Sequence, residues 1–476
     1  MLIEQLKQRA LSMIQLPNHF RPVIEDYIEG ENREGGAMFS WSTEERDEGI
    51  TVYLDFAGNL TSLTTYLKEE ISDVLPLNIE EKRELVEQFI LSHYPEALKD
   101  LTFYKTKKLT RADRFYYEQI VMDLPLEHAG CFIDIDSSGN IVEFTYNGVK
   151  PLPEIPVMLI SKETLREHMQ HQLVLQLTIT NLYMGIHDVA ENGLRLVYEI
   201  DSFSNYRADV LKPTLTIECD AYTPETYGTP PFPITKYVHE DLSIEEILGI
   251  PESMEIIREV DMEEETGIVW RDREWEEKES DLSMNGFFRR QSEDTVKAFV
   301  SKKTGKIRSF MWLMERSGKL QLTREECYQN AVDFLQIIVP DYFQYLKPII
   351  QENEDVEEEL PLKEHFSFVM QTGQGIRIQD IVRVAVNCKT GQIDYYSGPS
   401  IGIEQLREIP DAPAISKEEA SEIFCNHLDF ELAWNKDYDS ESESYNLVYQ
   451  ACSQQTRTPI RYIDAMTGAL ICDKHK

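Results

Sequence analysis

The 476-residue sequence has no run of apolar residues approaching the roughly 18 needed to cross a bilayer, so no membrane-inserted helix is expected. It also lacks a surplus of positive charge. Its 47 Lys and Arg stand against 85 Asp and Glu, a formal net charge of −38. Phosphate contacts need Lys and Arg in excess, so nucleic-acid binding is not expected, nor is docking on an anionic membrane. Cysteine is sparse and scattered: Cys131, Cys219, Cys327, Cys388, Cys425, Cys452 and Cys472 form no C-x-x-C pair and are odd in number. That argues against a disulfide framework or a cysteine zinc site and makes a reducing cytoplasm the expected location. There is no G-x-G-x-x-G, no P-loop and no H-E-x-x-H, and no nucleophile elbow is expected. Apolar material is ample, with 42% hydrophobic and 10% aromatic residues, so a wholly disordered chain is excluded.

What the sequence does contain is a repeat. A hydrophobic strand, a short polar run, a glycine, one residue and then Leu or Ile recur at Gly58, Gly139, Gly305, Gly391 and Gly468. From Gly58 to Gly139 the step is 81 residues, from Gly305 to Gly391 it is 86, and from Gly391 to Gly468 it is 77. The gap between Gly139 and Gly305 is two such steps, with a glycine-less version, TLTIECDAYTPET, near Asp220. The glycine fits a tight turn needing positive φ between antiparallel strands, and strands such as TVYLDF alternate as half-buried strands do.

Each unit after the first opens with an amphipathic helix. Four of the five starts carry a capping box: Asn78 with Glu81, Ser243 with Glu246, Thr323 with Glu326 and Ser416 with Glu419. Ser161 has Thr164 at the third position, so its box is incomplete. The first unit begins with an amphipathic stretch carrying Leu2, Leu6, Ala10 and Met13. Charged Glu4, Lys7 and Arg9 within it argue against an export leader. Stripes such as Ala420, Ile423, Phe424 and Leu428 predict packing onto the sheet of the same unit. A further strand follows each helix, as in FYYEQIV, LRLVYEI, HFSFVMQ and YNLVYQA.

A second level of order appears between units. Phe89, Pro95 and Leu101 are spaced as Phe334, Pro340 and Leu346 are; SKE and LVYEI of one unit return as SKE and LVYQA of another; LPNHF at Pro17 matches IPESM at Pro251. The order is A-B-C twice, with modules at 1–75, 76–155, 156–232, 233–316, 317–408 and 409–476, and the join at the Pro-rich 228–241.

The residues Ser416 to Ala420, Asn446 to Tyr449 and Tyr462 to Leu470 resemble the PepSY-like modules of Gram-positive bacteria. With alternating Tyr94–Pro95 and S-K-E units, the chain is similar to the YcdB/YcdC-type repeat proteins of bacilli, a family of unknown function. The fold expected is α+β: tandem PepSY-like modules, each one helix on a three- to four-stranded antiparallel sheet, in a duplicated three-module block. PepSY modules also occur in propeptides of secreted metallopeptidases. The resemblance therefore implies a binding or regulatory module, with peptidase restraint by analogy, and supplies no catalytic residue.

Individual candidates weigh little. His168 and His171, with Glu163 or Glu167, have a spacing that suits a metal, but a solvated helix face explains them as well. DYDSESES from Asp437 opens like a calcium loop, yet has Ser442 and Val448 where glycine and glutamate belong. The acidic runs at 263–265, 274–281 and 352–359 read as solubilising hairpin loops that suit a basic partner. Gly373 and Gly375 read as a hairpin turn. Trp41 and Trp270 occupy related strands of the two A units, in packing or, less simply, ligand stacking. No catalytic, cofactor-binding or metal-ligating residue is nominated. The expected function is non-enzymatic binding of an unknown protein or peptide, for which antiparallel sheet edges are suited; the alternative is a hydrolase with a site at an inter-module cleft. The crowding of like charge predicts a melting temperature that rises with added salt, and a fall would contradict it.

Overall fold

The structure is a computed structural model and describes residues 3–28, 35–68, 76–201, 205–212, 242–276, 281–349, 362–438 and 444–474. The glycine-less repeat near Asp220, Cys219, the Pro-rich join and the run at 352–359 lie outside them.

The first sheet has eight strands. Module A supplies β1 (Arg21–Ile28), β2 (Gly36–Ser42), β3 (Gly49–Asp55) and β4 (Leu60–Tyr66); module B supplies β5 (Thr102–Lys108), β6 (Asp113–Glu118), β9 (Gly130–Ile135) and β10 (Ile141–Gly148). A two-stranded ribbon, β7 (Ile120–Val121) and β8 (Leu124–Pro125), projects between β6 and β9. The sheet order is β1-β2-β3-β4-β10-β9-β6-β5, so the two modules join edge to edge through β4 and β10. Helices α1 (Ile3–Leu11) and α2 (Ile79–His93) cover it, α1 burying Leu6 and Ala10, α2 burying Val86 and Ile90.

The C unit then contributes α3 (Lys162–Gln172), β11 (Val174–Leu182), β12 (Gly193–Asp201) and β13 (Tyr206–Arg207). The second A unit has α4 (Ile244–Leu248), β14 (Met254–Asp261), β15 (Glu265–Asp272), α5 (Met284–Ser292), β16 (Thr295–Ser301) and β17 (Ile307–Trp312). The second B unit has α6 (Arg324–Ile338), β18 (Leu346–Pro348), β19 (Lys363–Gln371), β20 (Arg377–Asn387), β21 (Ile393–Ser397) and a short α7 (Ile403–Glu408). The last unit is α8 (Lys417–His427), β22 (Leu428–Asp437), β23 (Ser444–Ser453), β24 (Ile460–Asp464) and β25 (Leu470–Cys472). In the second sheet β14-β15-β16-β17-β21-β20 runs on to β19 and β18. This repeats the first sheet strand for strand, so the A–B block is duplicated in topology as well as in sequence.

The local signals act as the sequence indicates. All five repeat glycines have positive φ, between 67° and 92°. The boxes at Asn78, Ser243, Thr323 and Ser416 are closed in both directions, while Ser161 bonds the amide and the hydroxyl of Thr164 instead. The helices α5 and α7 were not foreseen.

The two C units depart from the expectation that every helix packs on its own sheet. Strand β12 pairs with β24, and β13 pairs with β23, so the units exchange strands. Helix α3 packs on β22 of the other C unit: Lys162 Nζ meets Asp429 at 3.1 Å, and the Tyr449 hydroxyl donates to the Ile160 carbonyl at 2.9 Å. Tyr198 on β12 donates to the Ile415 carbonyl just before α8, at 2.8 Å. A short parallel contact, Thr178–Ile179 beside Arg377–Ile378, splices this pair onto the A–B sheet at β20. The ribbon β7–β8 closes the circuit, with Trp434 Nε1 donating to the Val121 carbonyl at 3.0 Å.

Candidate peptide-binding edge

Each A unit begins with an edge strand, and the two edges share a local distortion. In β1 the register skips at Val23, with Pro22 opposite Trp41 and Ile24 opposite Ser40. In β14 it skips at Ile257, with Ile256 opposite Trp270 and Arg258 opposite Val269. Such a bulge adds one residue and turns the edge locally. Trp41 and Trp270 therefore hold equivalent positions, both buried, at 3% and 2% exposure. Their role is packing behind the bulged strand.

The surroundings of the two edges differ. At β1 the outer edge is covered by a distant stretch of the same chain. The Glu25 amide donates to the Leu282 carbonyl at 2.8 Å, the Met284 amide donates to Asp26 Oδ2 at 2.8 Å, and Arg290 Nη2 donates to the bulge carbonyl of Val23 at 3.2 Å. The covering stretch continues into α5, whose N-cap Ser283 accepts from the Gly286 amide at 3.0 Å.

At β14 no described strand pairs with the outer edge. Every residue of the strand after Met254 is exposed. Ile256, Ile257 and Val260 are 41–46% exposed. Glu255, Glu259 and Asp261 stand among them, and Glu263 and Glu264 continue the acidic character into the β14–β15 turn. At the strand's start Glu245 of α4 and the Ile250–Pro251 turn bound an open cleft of about 570 Å³, whose walls include Glu252, Glu255, Met254 and Trp270. Of the nearby cations, Arg273 lies 3.6 Å from Glu255, and Arg258 donates to the neutral Gln291 at 3.3 Å. The edge thus offers backbone, apolar side chains and negative charge together.

Several other titratable groups are built into the framework. Arg114 bonds both Asp134 oxygens, at 2.6 and 2.8 Å, and Glu143 at 2.8 Å, with its guanidinium 4.0 Å from the Phe132 ring. Asp394, wholly buried, takes Lys363 at 3.0 Å and Arg316 at 3.3 Å; burial lowers the Arg316 guanidinium to about 10, against the opposing pull of Asp394. Burial pushes the Glu118 carboxyl up to about 7, with Lys105 pulling the other way. Burial also pushes the thiols of Cys131 and Cys327 up to about 12, and that of Cys452 to about 11, so these sulfurs stay protonated and are poor nucleophiles.

Each residue singled out from the sequence has a place. His168 packs edge-on against Tyr206 at 5.6 Å and His171 is exposed; among the described residues no cluster of three or more metal-ligating side chains occurs. Gly373 and Gly375 form the β19–β20 turn, and Asp437 ends β22 at a hairpin whose residues 439–443 lie outside the described set. One motif was passed over: Gly398-Pro399-Ser400-Ile401-Gly402 has the G-x-S-x-G spelling of a nucleophile elbow and follows a strand. The geometry does not make it one. Ser400 is not among the residues with positive φ, and no described histidine bonds its hydroxyl. Asp380 instead clamps the turn, one oxygen accepting from the Ser400 amide, the Ser400 hydroxyl and the Ile401 amide, and the other from the Ile381 amide.

The family model for the YcdB, YcdC repeated domain matches residues 3–148 and 238–400, the two A–B blocks. The chain belongs to this family. It is 30% identical over 465 residues to YcdC of Bacillus subtilis (strain 168), covering 94% of this chain and 96% of that one. It is 30% identical over 474 residues to YcdB of the same organism, covering 98% and 97%. Both relatives are described only as uncharacterized proteins. A solved structure, the Bacillus megaterium YpeB C-terminal domain, aligns with 49% of this chain and 94% of its own at 18% identity, with a TM-score of 0.24, too low to carry an argument about fold. No helix among the described residues is long and apolar enough to cross a membrane.

Proposed function

We propose that this YcdB/YcdC-type chain is a non-enzymatic binding or regulatory protein that receives a protein or peptide partner at the outer edge of β14. The observation that carries this reading is the contrast of the two A edges: the same bulged strand is covered by chain at β1 and exposed at β14. An uncovered edge of backbone donors and acceptors is a template for another strand. Restraint of a peptidase is the narrower form, by analogy with PepSY modules. The high thiol pKa values and the saturated Asp380 clamp around Ser400 speak against the hydrolase alternative.

The test is affinity capture by the intact chain and by a Glu259→Pro variant. Proline at an outer-edge position removes one donor without breaking the inner ladder. A specific partner retained by the wild type and lost by the variant supports the proposal. A partner retained equally by both places binding elsewhere, and clean eluates from both sink the reading.

A further inference from the structure

Resting on that reading, we infer that the β14 edge takes an extended, basic peptide segment, added as a further strand, with lysine or arginine side chains alternating with apolar ones.

Three observations converge on it. The first is that chain already docks at the equivalent place, through one backbone hydrogen bond and two that involve side chains. Counting from the shared bulge, Glu259 in β14 holds the position of Glu25 in β1. The Glu25 amide donates to the carbonyl of Leu282, so the Glu259 amide is the corresponding outward donor, and Ile257 presents the bulge carbonyl equivalent to that of Val23, which accepts from Arg290. The bulge therefore does not prevent chain from docking here. The second is the spacing of apolar groups. Ile256 lies before the bulge on the Trp270 face, whereas Val260 and Met262 beyond it share the opposite face, at 41% and 46% exposure. An added strand would cover them with every second side chain.

The third is charge. Glu252, Glu259, Glu263 and Glu264 border the edge, Glu255 and Asp261 are paired with Arg273 and Lys302, and Arg258, bonded to the neutral Gln291, is the opposing positive charge. An incoming acidic strand meets like charge along its length, and a basic one meets its complement. The chain segment at β1 follows a related rule: it brings Arg290 to the edge and its Met284 amide to Asp26.

The experiment titrates the full chain with two end-blocked, fluorophore-labelled octapeptides, one alternating lysine with valine and threonine, the other with glutamate in place of lysine. Expected is binding of the basic peptide at least tenfold tighter than the acidic one, weakening as salt rises, with slowed amide exchange over 254–262. Glu259→Pro should weaken it about tenfold. Glu259→Lys, which leaves the backbone donor in place, should weaken the basic peptide and strengthen the acidic one. Retained circular dichroism and melting in both variants keep the comparison valid. Equal affinity for both peptides overturns the charge assignment. Binding untouched by both variants, or protection elsewhere in the chain, overturns the site. If neither peptide binds while edge-dependent capture persists, this inference fails and the binding reading stands. If both fail, the edge is merely one guarded by charge against aggregation.

Discussion

Helices α2 and α6 hold the same place in the two A–B blocks, with the same length, the same capping box and the same Pro two residues after the last turn. Their inner faces nevertheless have different chemistry. In α2 Lys82 is buried and reaches Asp113 on β6 at 2.6 Å, and Glu87 takes both Arg83 and the Tyr117 hydroxyl. At the matching positions α6 has Cys327, Tyr328 and Val332. Cys327 lies 3.9 Å from Cys388, and Tyr328 packs against Phe366 and Phe368. At these matched positions α2 meets its sheet through paired charge and α6 through apolar packing, although α6 keeps a pair of its own between Arg324 and Glu364 on β19. The frame survives this exchange because caps, hairpin glycines and alternation define it, while the interface needs only paired or apolar groups.

Breaking the buried pair sharpens this comparison most. Lys82→Ala leaves Asp113 without its partner and should cost about 3 kcal/mol, against about 1 kcal/mol for Cys327→Ala. Urea unfolding of the A–B transition measures both, and equal losses would contradict the distinction. Joint replacement by Lys82→Met and Asp113→Leu should return to within about 1 kcal/mol of wild type.

The hairpin glycines come next. Gly391 and Gly305 both have positive φ, at 75° and 67°. A Cβ at Gly391 would lie 3.0 Å from Asn330 Nδ2 and 3.2 Å from Leu322, while at Gly305 it would meet nothing within 4 Å. Gly391→Ala should cost about 2 kcal/mol, from backbone strain plus crowding under α6, and Gly305→Ala about 1 kcal/mol from strain alone. Matching melting temperatures for the two variants would show that contact with the helix adds nothing.

Between the exchanged C units the effect is pH-dependent. Burial pushes the Asp429 carboxyl up, but the Phe430 amide and pairing with Lys162 and Arg457 outweigh it and hold the group at about 2. A depressed carboxylate adds stability that is present above its unfolded value near 4 and lost as pH falls toward 2. Its loss should be about 1 kcal/mol after solvent screening of the partly exposed cations. Asp429→Asn should flatten that part of the acid-unfolding curve, and an unchanged curve would remove the clasp from the account. The smallest contrast is between caps. Ser416→Ala breaks a two-way box and should cost about 1 kcal/mol, and Ser161→Ala about half that, read by chemical denaturation.

Much of the frame was legible residue by residue. Gly58, Gly139, Gly305, Gly391 and Gly468 mark turns because only a residue without Cβ takes that backbone cheaply. The capping boxes mark helix starts because they satisfy amides that the helix cannot. The match of Trp41 with Trp270 held because both back the same bulge. The helix α5 was missed although Ser283 at its start and the helical spacing of Met284, Phe287 and Phe288 were visible, since it is only nine residues long and answers to a distant strand. The G-x-S-x-G spelling was passed over, and only the clamp by Asp380, 20 residues upstream, reveals a structural turn.

Local chemistry in the sequence, acting over a few residues, determined the α+β repeat, its period, its helix starts and its hairpins. The tertiary structure alone decided that modules share continuous sheets, that the C units exchange strands, and that among the described residues one A edge is covered and the other is not. Those outcomes depend on which backbone edges meet across hundreds of residues, and an edge strand's donors and acceptors are the same whatever side chains it carries.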